Sequence, residues 1–240
     1  MEQRIVDPGT RGVLLKDGRI MAAETQNRLK INEIYLSLQG ESTWVGLPCV
    51  FVRFTGCSLR CSWCDTAYAF YEGEDKSLQT ILERVDSFGV KLVEITGGEP
   101  LEQEGVYPLM EALLQKGYKV LLETSGAVDL GRVPKAVVKI MDVKCPGSGE
   151  EARNLWENLD KLVPGQDEIK FVIQDKADYD YAKQVIQRHG LSVKFALLFS
   201  PSHEALEPAH LAEWITTDRL PVRMQLQTHK YIWPREDRGR

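Results

Sequence analysis

Three cysteines, Cys57, Cys61 and Cys64, crowd into one short segment, Arg53-Phe54-Thr55-Gly56-Cys57-Ser58-Leu59-Arg60-Cys61-Ser62-Trp63-Cys64-Asp65-Thr66. Thiolates are the usual protein ligands of iron–sulfur clusters. The spacing C-x3-C-x2-C lets a single loop wrap three corners of a four-iron cubane. No fourth cysteine is near: Cys49 precedes the apolar run that feeds the loop, and Cys145 is far along the chain. A 4Fe-4S cluster held this way keeps one iron open for a substrate or cofactor. Structural zinc is the alternative, but it wants four ligands, and no nearby His or Cys supplies the fourth. Three structural cysteines without metal are the remaining possibility.

Such a loop needs a scaffold, and the rest of the chain reads as one. Thr96-Gly97-Gly98-Glu99, Glu123-Thr124-Ser125-Gly126, Asp142-Val143-Lys144 and Ser200-Pro201 each close a short apolar run. Runs at 31–37, 49–54, 91–96, 119–124, 137–143, 168–174, 194–200 and 222–227 have the composition of strands, mostly with turn or breaker residues at their ends. Helical periodicity marks 78–87, 106–116, 177–188 and 208–217. Strand–helix alternation predicts an α/β fold on a parallel sheet with right-handed crossovers. The strand count predicts an incomplete, TIM-like barrel. Between Thr124 and Val137 stand Gly126, Gly131 and Pro134, with too little room for a full crossover helix. Fewer crossover helices than strands are therefore expected. The polar groups fall at C-terminal strand ends, where a parallel barrel forms its active site.

The 240 residues are 43% hydrophobic and 27% charged, with 30 basic and 35 acidic side chains and a formal net charge of −5. That suffices for one sizeable core. Mild acidity without a long basic run argues against a nucleic-acid surface. No apolar run reaches the roughly 18 residues of a membrane span. The N-terminus lacks the apolar stretch of a signal peptide. A cytoplasmic protein without a membrane partner is expected, and in a reducing compartment clustered cysteines favour a metal site over disulfides. Residues 1–30 are polar and weakly patterned, so they read as an extension before a core domain at 31–240.

C-x3-C-x-aromatic-C, followed by Thr96-Gly97-Gly98-Glu99-Pro100, resembles the radical S-adenosylmethionine superfamily from Cys49 to about Pro201. A closer likeness covers nearly all of the chain after residue 30. Leu38-Gln39-Gly40-Glu41, Arg53-Phe54, Cys64-Asp65-Thr66, Thr96-Gly97-Gly98-Glu99-Pro100-Leu101, Glu123-Thr124-Ser125-Gly126 and Gln227-Thr228-His229-Lys230 are similar to the 7-carboxy-7-deazaguanine synthase family. The resemblance implies a radical lyase that turns 6-carboxy-5,6,7,8-tetrahydropterin into 7-carboxy-7-deazaguanine with loss of ammonia, on the route to queuosine and other 7-deazapurines. It implies a 4Fe-4S cluster, S-adenosylmethionine and Mg2+, an external one-electron reductant such as flavodoxin, a homodimer and a reduced barrel.

Residue by residue, the resemblance assigns the cluster to Cys57, Cys61 and Cys64. It places Trp63 near the adenine, where the alternative is a plain core aromatic. Gly98 and Glu99 meet the methionine end, and Asp65, Ser125, Lys144 and Ser200 join the cofactor side. Lys144 could instead be a solvated surface lysine. Leu38, Gln39, Gly40 and Thr96 contact the pterin. Arg53 needs an anion, either the substrate carboxylate or an internal acid. His229 is a substrate neighbour or a structural histidine, and Pro234 closes the pocket. Thr66 gives Mg2+ an oxygen, or caps the next turn. Ser125 stands where asparagine is frequent, and Asp142-Val143-Lys144-Cys145-Pro146 replaces a Ser-Pro-Lys run, which affects the contacts around Lys144. Two other functions share some of these features: an activating enzyme that places a glycyl radical on a partner protein, and a non-catalytic iron–sulfur or zinc protein.

Overall fold

The computed structural model describes residues 28–234 and 238–239. Residues 1–27 of the expected extension lie outside the described residues, and 28–30 open the first strand. In chain order the strands are β1 (Arg28–Leu38), β2 (Pro48–Phe54), β3 (Glu74–Ser77), β4 (Leu92–Gly97), β5 (Lys119–Thr124), β6 (Val138–Asp142), β7 (Glu168–Ile173), β8 (Ala196–Pro201) and β9 (Arg223–Met224). They form one sheet in the order β3-β1-β2-β4-β5-β6-β7-β8-β9. The expected incomplete barrel is present: the sheet is not closed, and its neighbours from β2 to β9 run parallel.

One edge departs from the expected parallel sheet. β1 is antiparallel to both β2 and β3. The link from β1 to β2 holds no helix, and a parallel pair would need a longer crossover. β3, Glu-Asp-Lys-Ser, has no apolar alternation to signal a strand. It is a mostly exposed edge strand held by backbone pairing to β1. β9 is much shorter than the run at 222–227, because Gln225 and Gln227 turn toward the residues after β1.

The helices are α1 (Leu78–Asp86), α2 (Val106–Gln115), α3 (Lys176–His189) and α4 (Pro208–Asp218), close to the expected bounds. Ser77 caps α1 by accepting the Thr80 N–H, and Asp175 caps α3 by accepting the Asp178 N–H. Among the described residues the links β5–β6 and β6–β7 contain no α-helix. The first carries the breakers named above. The second consists of 3-10 turns at Pro146–Ser148, Glu151–Arg153 and Trp156–Lys161.

Strand side chains alternate between two faces. Val50, Val52, Phe54, Val93, Ile95, Val120 and Leu122 pack outward with Ile81, Val85, Leu109 and Leu113 of α1 and α2. Cys49, Phe51, Leu92, Leu121, Val138, Ile140 and Leu198 point inward and fill the concave side with a second apolar layer. The two sheet edges are bridged by loops. Ser42 N donates to Gln225 Oε1 at 2.8 Å, Thr228 N to the Gly40 carbonyl at 3.0 Å and Gln227 Nε2 to Glu41 Oε1 at 2.9 Å. A one-turn helix, α5 (His229–Ile232), follows this bridge.

Candidate active site

The cysteine loop leaves β2 at Phe54 and is fastened at several points. Gly56 sits at φ +99°, its N–H donates to the Ala69 carbonyl at 2.9 Å, and its own carbonyl accepts the Glu99 N–H at 2.8 Å. Ser58 N donates to Glu102 Oε1 at 2.9 Å, Arg60 N to Glu150 Oε1 at 2.6 Å and Ser62 Oγ to the Gly147 carbonyl at 2.7 Å. A Cβ on Gly98 would run into the Gly56 carbonyl oxygen and lie 2.9 Å from Cys57 Cβ. Glycine is required there because the Thr-Gly-Gly-Glu turn lies directly against the cysteine loop.

Cys57, Cys61 and Cys64 are free, half-buried and line one cavity. Among the described residues no three His, Cys, Asp or Glu side chains converge on a single-ion position. Burial pushes the Cys57 thiol up to about 11 and raises Cys61, although Lys144 opposes the latter. Thiolates here need compensating positive charge, which cluster irons supply. Trp63 lies beside them with the Lys144 ammonium 4.9 Å from its ring centroid. Lys144 is buried and donates to Asp142 Oδ2 at 2.7 Å, so it is not a solvated lysine. Among the described residues Trp63 Nε1 and Asp142 Oδ1, of side chains that line the cavity, are buried without hydrogen-bond partners. These orphaned groups, the glycine cradle and the three-thiol donor set fit a cluster with a polar cofactor beside it.

Glu99 is placed differently from the sequence reading. It is fully buried behind the pocket wall and accepts from Leu101 N at 3.1 Å, Thr124 Oγ1 at 2.9 Å, Ser125 N at 2.7 Å and Ser125 Oγ at 2.5 Å. As the cap of the 3-10 turn Pro100–Glu102 its carboxyl points back into the chain. Thr96, Gly97 and Gly98 of this motif line the cavity, as do Thr124 and Ser125, whereas Glu99 does not. Ser200, fully buried at the end of β8, also stays off the cavity wall.

The other end of the same cavity holds Leu38, Gln39, Gly40, Arg53, Thr96 and His229. Arg53 has found an internal acid: Nε donates to Glu33 Oε1 at 2.6 Å and Nη2 to Tyr35 Oη at 2.8 Å. Burial opposes its charge, but Tyr35, Tyr68 and Glu33 outweigh that and move its pKa up. Gln39 does not present a free amide, since Nε2 donates to Glu94 Oε2 and Oε1 accepts the Glu41 N–H at 3.0 Å. A Cβ on Gly40 would meet the His229 ring. His229 is lowered, mainly by burial. Asp65 is ion-paired to Lys230 at 2.7 Å and held at about 2, because Lys230, with Arg53 and His229 behind it, outweighs burial. Thr66 precedes the 3-10 turn Ala67–Phe70 without a side-chain cap bond, so the capping alternative for its hydroxyl is not realised. Pro234 is exposed and lines an adjoining cavity that shares Arg53, Asp65 and His229.

A scan against protein-family models matches residues 51–145 to the radical SAM superfamily. The chain is 50% identical over 226 residues to a 7-carboxy-7-deazaguanine synthase of Koribacter versatilis, covering 88% of this chain and 100% of that protein. The chain belongs to the 7-carboxy-7-deazaguanine synthase family. A synthase of this name from Chlorobaculum tepidum is 45% identical over 217 residues, covering 90% of this chain and 99% of that one. The crystal structure of QueE from Escherichia coli shares the fold with a TM-score of 0.68 at 23% identity, over 83% of this chain and 93% of that one.

Beside the site residues named above lies a set to which the sequence assigned no role, Glu41, Glu94, Glu123 and Lys170, all lining the cavity, although Glu41 and Glu123 stand in motifs that carry the family resemblance. Lys170 Nζ is ion-paired to Glu41 Oε2 at 3.0 Å and to Glu123 Oε1. Burial opposes the Lys170 charge, yet Glu123, Glu41 and Asp142 hold its pKa well above normal. One ammonium serves two acids unequally. Burial raises both, but Lys170 and His229 bring Glu41 down on balance, whereas Glu123 stays up at about 7. The available signal was a charge inside an apolar strand, Lys170 in Glu-Ile-Lys-Phe-Val-Ile and Glu94 in Leu-Val-Glu-Ile-Thr-Gly, because such charges need partners.

Proposed function

We propose that this chain converts 6-carboxy-5,6,7,8-tetrahydropterin to 7-carboxy-7-deazaguanine with release of ammonia, the product being the one its relatives are named for. The observation that carries this is one cavity with three thiols on one wall and Gln39, Gly40, Arg53, Thr96 and His229 on the other. A reduced 4Fe-4S cluster held by these thiols, with S-adenosylmethionine beside it, would supply the radical chemistry at a substrate C–H bond.

The chain's task is to hold and orient. Cys57, Cys61 and Cys64 ligate the cluster. Trp63, backed by Lys144, gives a flat wall for the adenine, and Gly98 allows close backbone approach by the methionine end. Glu99 acts behind them by fixing Ser125. Asp65, Ser125 and Lys144 complete the cofactor side, and Ser200 stands behind it at the end of β8. Arg53, kept charged by Glu33, faces the substrate carboxylate, while Leu38, Gly40, Thr96 and His229 border the ring and Pro234 stands over the adjoining cavity. Thr66 Oγ1 would offer Mg2+ an oxygen of the hard kind that this ion prefers. Loss of ammonia needs a proton source, and the Glu123 carboxyl, at about 7, can hold or release one at neutral pH. The same reading includes a homodimer, an external reductant such as flavodoxin, a cytoplasmic setting, and an N-terminal extension ahead of a core whose first strand opens at Arg28. It places the product on the route to queuosine and other 7-deazapurines.

The test is anaerobic cluster reconstitution and reduction, then addition of S-adenosylmethionine, Mg2+ and the pterin, with product followed by mass spectrometry. Deazaguanine from the native chain and none from Cys61→Ala is expected. 5′-Deoxyadenosine without deazaguanine would keep the radical chemistry but remove the pterin, and would favour a glycyl-radical activating enzyme. Neither product from a verified, reducible cluster would sink the radical reading.

A further inference from the structure

The inward row of side chains on the sheet contains one misfit. Glu94 on β4 has register partners Phe51 on β2 and Leu121 on β5, and Leu121 in turn pairs with Val138 on β6. Phe51, Leu121 and Val138 all belong to the inner apolar layer. A buried carboxyl thus stands where an apolar side chain would complete the row, and it lines the cavity. Its acidic neighbours Glu41 and Glu123 share Lys170. Among the described residues Glu94 has no ion pair, and its side-chain hydrogen bond comes from the neutral Gln39 amide onto Oε2. Gln39 is itself fixed: its N–H and carbonyl are tied to Leu47 and Gly46, each at 2.8 Å, and its Oε1 accepts the Glu41 N–H.

We propose that Glu94 is a specificity-determining residue: as the neutral acid it pairs with the lactam edge of the substrate's pyrimidinone ring, with Gln39 as its positioning residue. In this pairing Oε1–H donates to the ring carbonyl and Oε2 accepts the adjacent ring N–H. The inference rests on the pterin reading above. Because Gln39 donates to Oε2, that oxygen is the acceptor and the proton belongs on Oε1. The surroundings favour the neutral form: burial first, then the Glu123 and Glu41 carboxylates, raise Glu94 to about 8, against the Gln39 bond and Lys170. Tyr35 and Cys49, the other titratable groups packed near it, are both raised chiefly by burial and bring no positive charge. Thr96, two residues further along the same face of β4, also lines the cavity. A ring with an amino group in place of the carbonyl presents the wrong donor pattern and is disfavoured.

The experiment is steady-state turnover of the pterin by the reconstituted, reduced enzyme, with KM and kcat measured across the pH range around about 8. For the native enzyme KM is expected to rise above that pH as Oε1 loses its proton. Glu94→Leu removes two hydrogen bonds and is expected to raise KM about 30-fold at neutral pH with a much smaller effect on kcat. Glu94→Gln restores a donor and an acceptor in the same places, so its KM is far nearer native and its alkaline rise is absent. Gln39→Leu removes a bond that lowers the Glu94 pKa, so its alkaline rise moves to higher pH. Should Glu94→Leu fail to fold, the profile of the near-isosteric Gln variant decides. Unchanged KM in Glu94→Leu, damage by Gln equal to that by Leu, or an alkaline rise that survives in Glu94→Gln overturns the proposal while leaving the pterin reading intact. No product from the native enzyme overturns the pterin reading, and this inference with it.

Discussion

The thiol-bearing rim of the cavity and its charged floor are built in opposite ways. The rim is one contiguous loop from Cys57 to Thr66, half-exposed and held largely through its own backbone N–H groups, which donate to side chains and carbonyls of neighbouring turns. The floor gathers Gln39, Glu41, Glu94, Glu123, Lys170 and Gln227 from separate segments and joins them side chain to side chain. Under the proposed function the rim is a ligand set whose strongest bonds would form with the cluster. Apart from Glu94 Oε1, the floor is satisfied by the chain alone, so its groups contribute to folding as well as to the site. Damage to the rim should therefore remove activity and spare the fold, and damage to the floor should cost both.

The sharpest break of that comparison is Cys61→Ala. Cluster iron and product formation are expected to fall to background, while stability without the cluster changes by no more than about 1 kcal/mol, since a half-exposed thiol with few partners is lost. Iron analysis, mass spectrometry and urea unfolding measure the three quantities. A large loss of stability would mean that the rim is a structural element after all.

Lys170→Met attacks the floor. Removing one member of a buried ion-pair set leaves Glu41 and Glu123 without their cation and is expected to cost about 3 kcal/mol near neutral pH. The pH dependence has a definite sign. The Glu41 pKa is lowered in the folded chain, so its contribution is present above its unfolded pKa and is lost as pH falls through the folded value. In the variant that depression is gone and both acids prefer to be protonated. The stability gap should thus narrow as pH falls through the carboxylate range, and a gap that is constant with pH would contradict the network.

Gly98→Ala tests where the rim stops being independent. Its Cβ would meet the Gly56 backbone, which cannot yield as a flexible side chain can. A loss of about 2 kcal/mol is expected, with weaker cluster retention, because the Thr-Gly-Gly-Glu turn and the cysteine loop must separate. Retained iron with normal stability would show that the loop adjusts freely.

The same contrast explains what could be read in advance. That Cys57, Cys61, Trp63 and Cys64 share one loop is legible from their close spacing, and that Gly98 stands at a strand end is legible from the Thr-Gly-Gly-Glu run after an apolar stretch. Most strands and the four longer helices are legible too, since burial on one face or on both leaves a periodic or unbroken apolar trace in 49–54, 119–124 and 177–188. The polar edge strand Glu74–Ser77 is not, because backbone pairing alone holds it. Nor is the floor. Lys170 and Glu41 are 129 positions apart and meet only through the sheet order. Glu99 is misplaced for a related reason: its motif was visible, but not that its carboxyl would turn inward to Thr124 and Ser125.

The smallest effect tests the boundary between the two regions. Lys230 pairs with Asp65 at 2.7 Å and donates to Gln227 Oε1 at 2.6 Å, joining the loop that carries the thiols to the segment that bridges the sheet edges. The Asp65 side chain is 39% exposed, so solvent screens the pair. Lys230→Ala is expected to cost less than about 1 kcal/mol in dilute buffer. Its distinguishing property is salt dependence. The gap between native and Lys230→Ala should shrink as ionic strength rises past the screening range, whereas that for Lys170→Met, whose charges are buried, should hardly move. Unfolding curves of the three proteins at low and high salt make the comparison. If both gaps collapse together, the floor is wetter than its burial implies and the division drawn between floor and rim fails. If neither moves, Lys230 acts through its contact with Gln227, and the bridge between the sheet edges belongs with the floor.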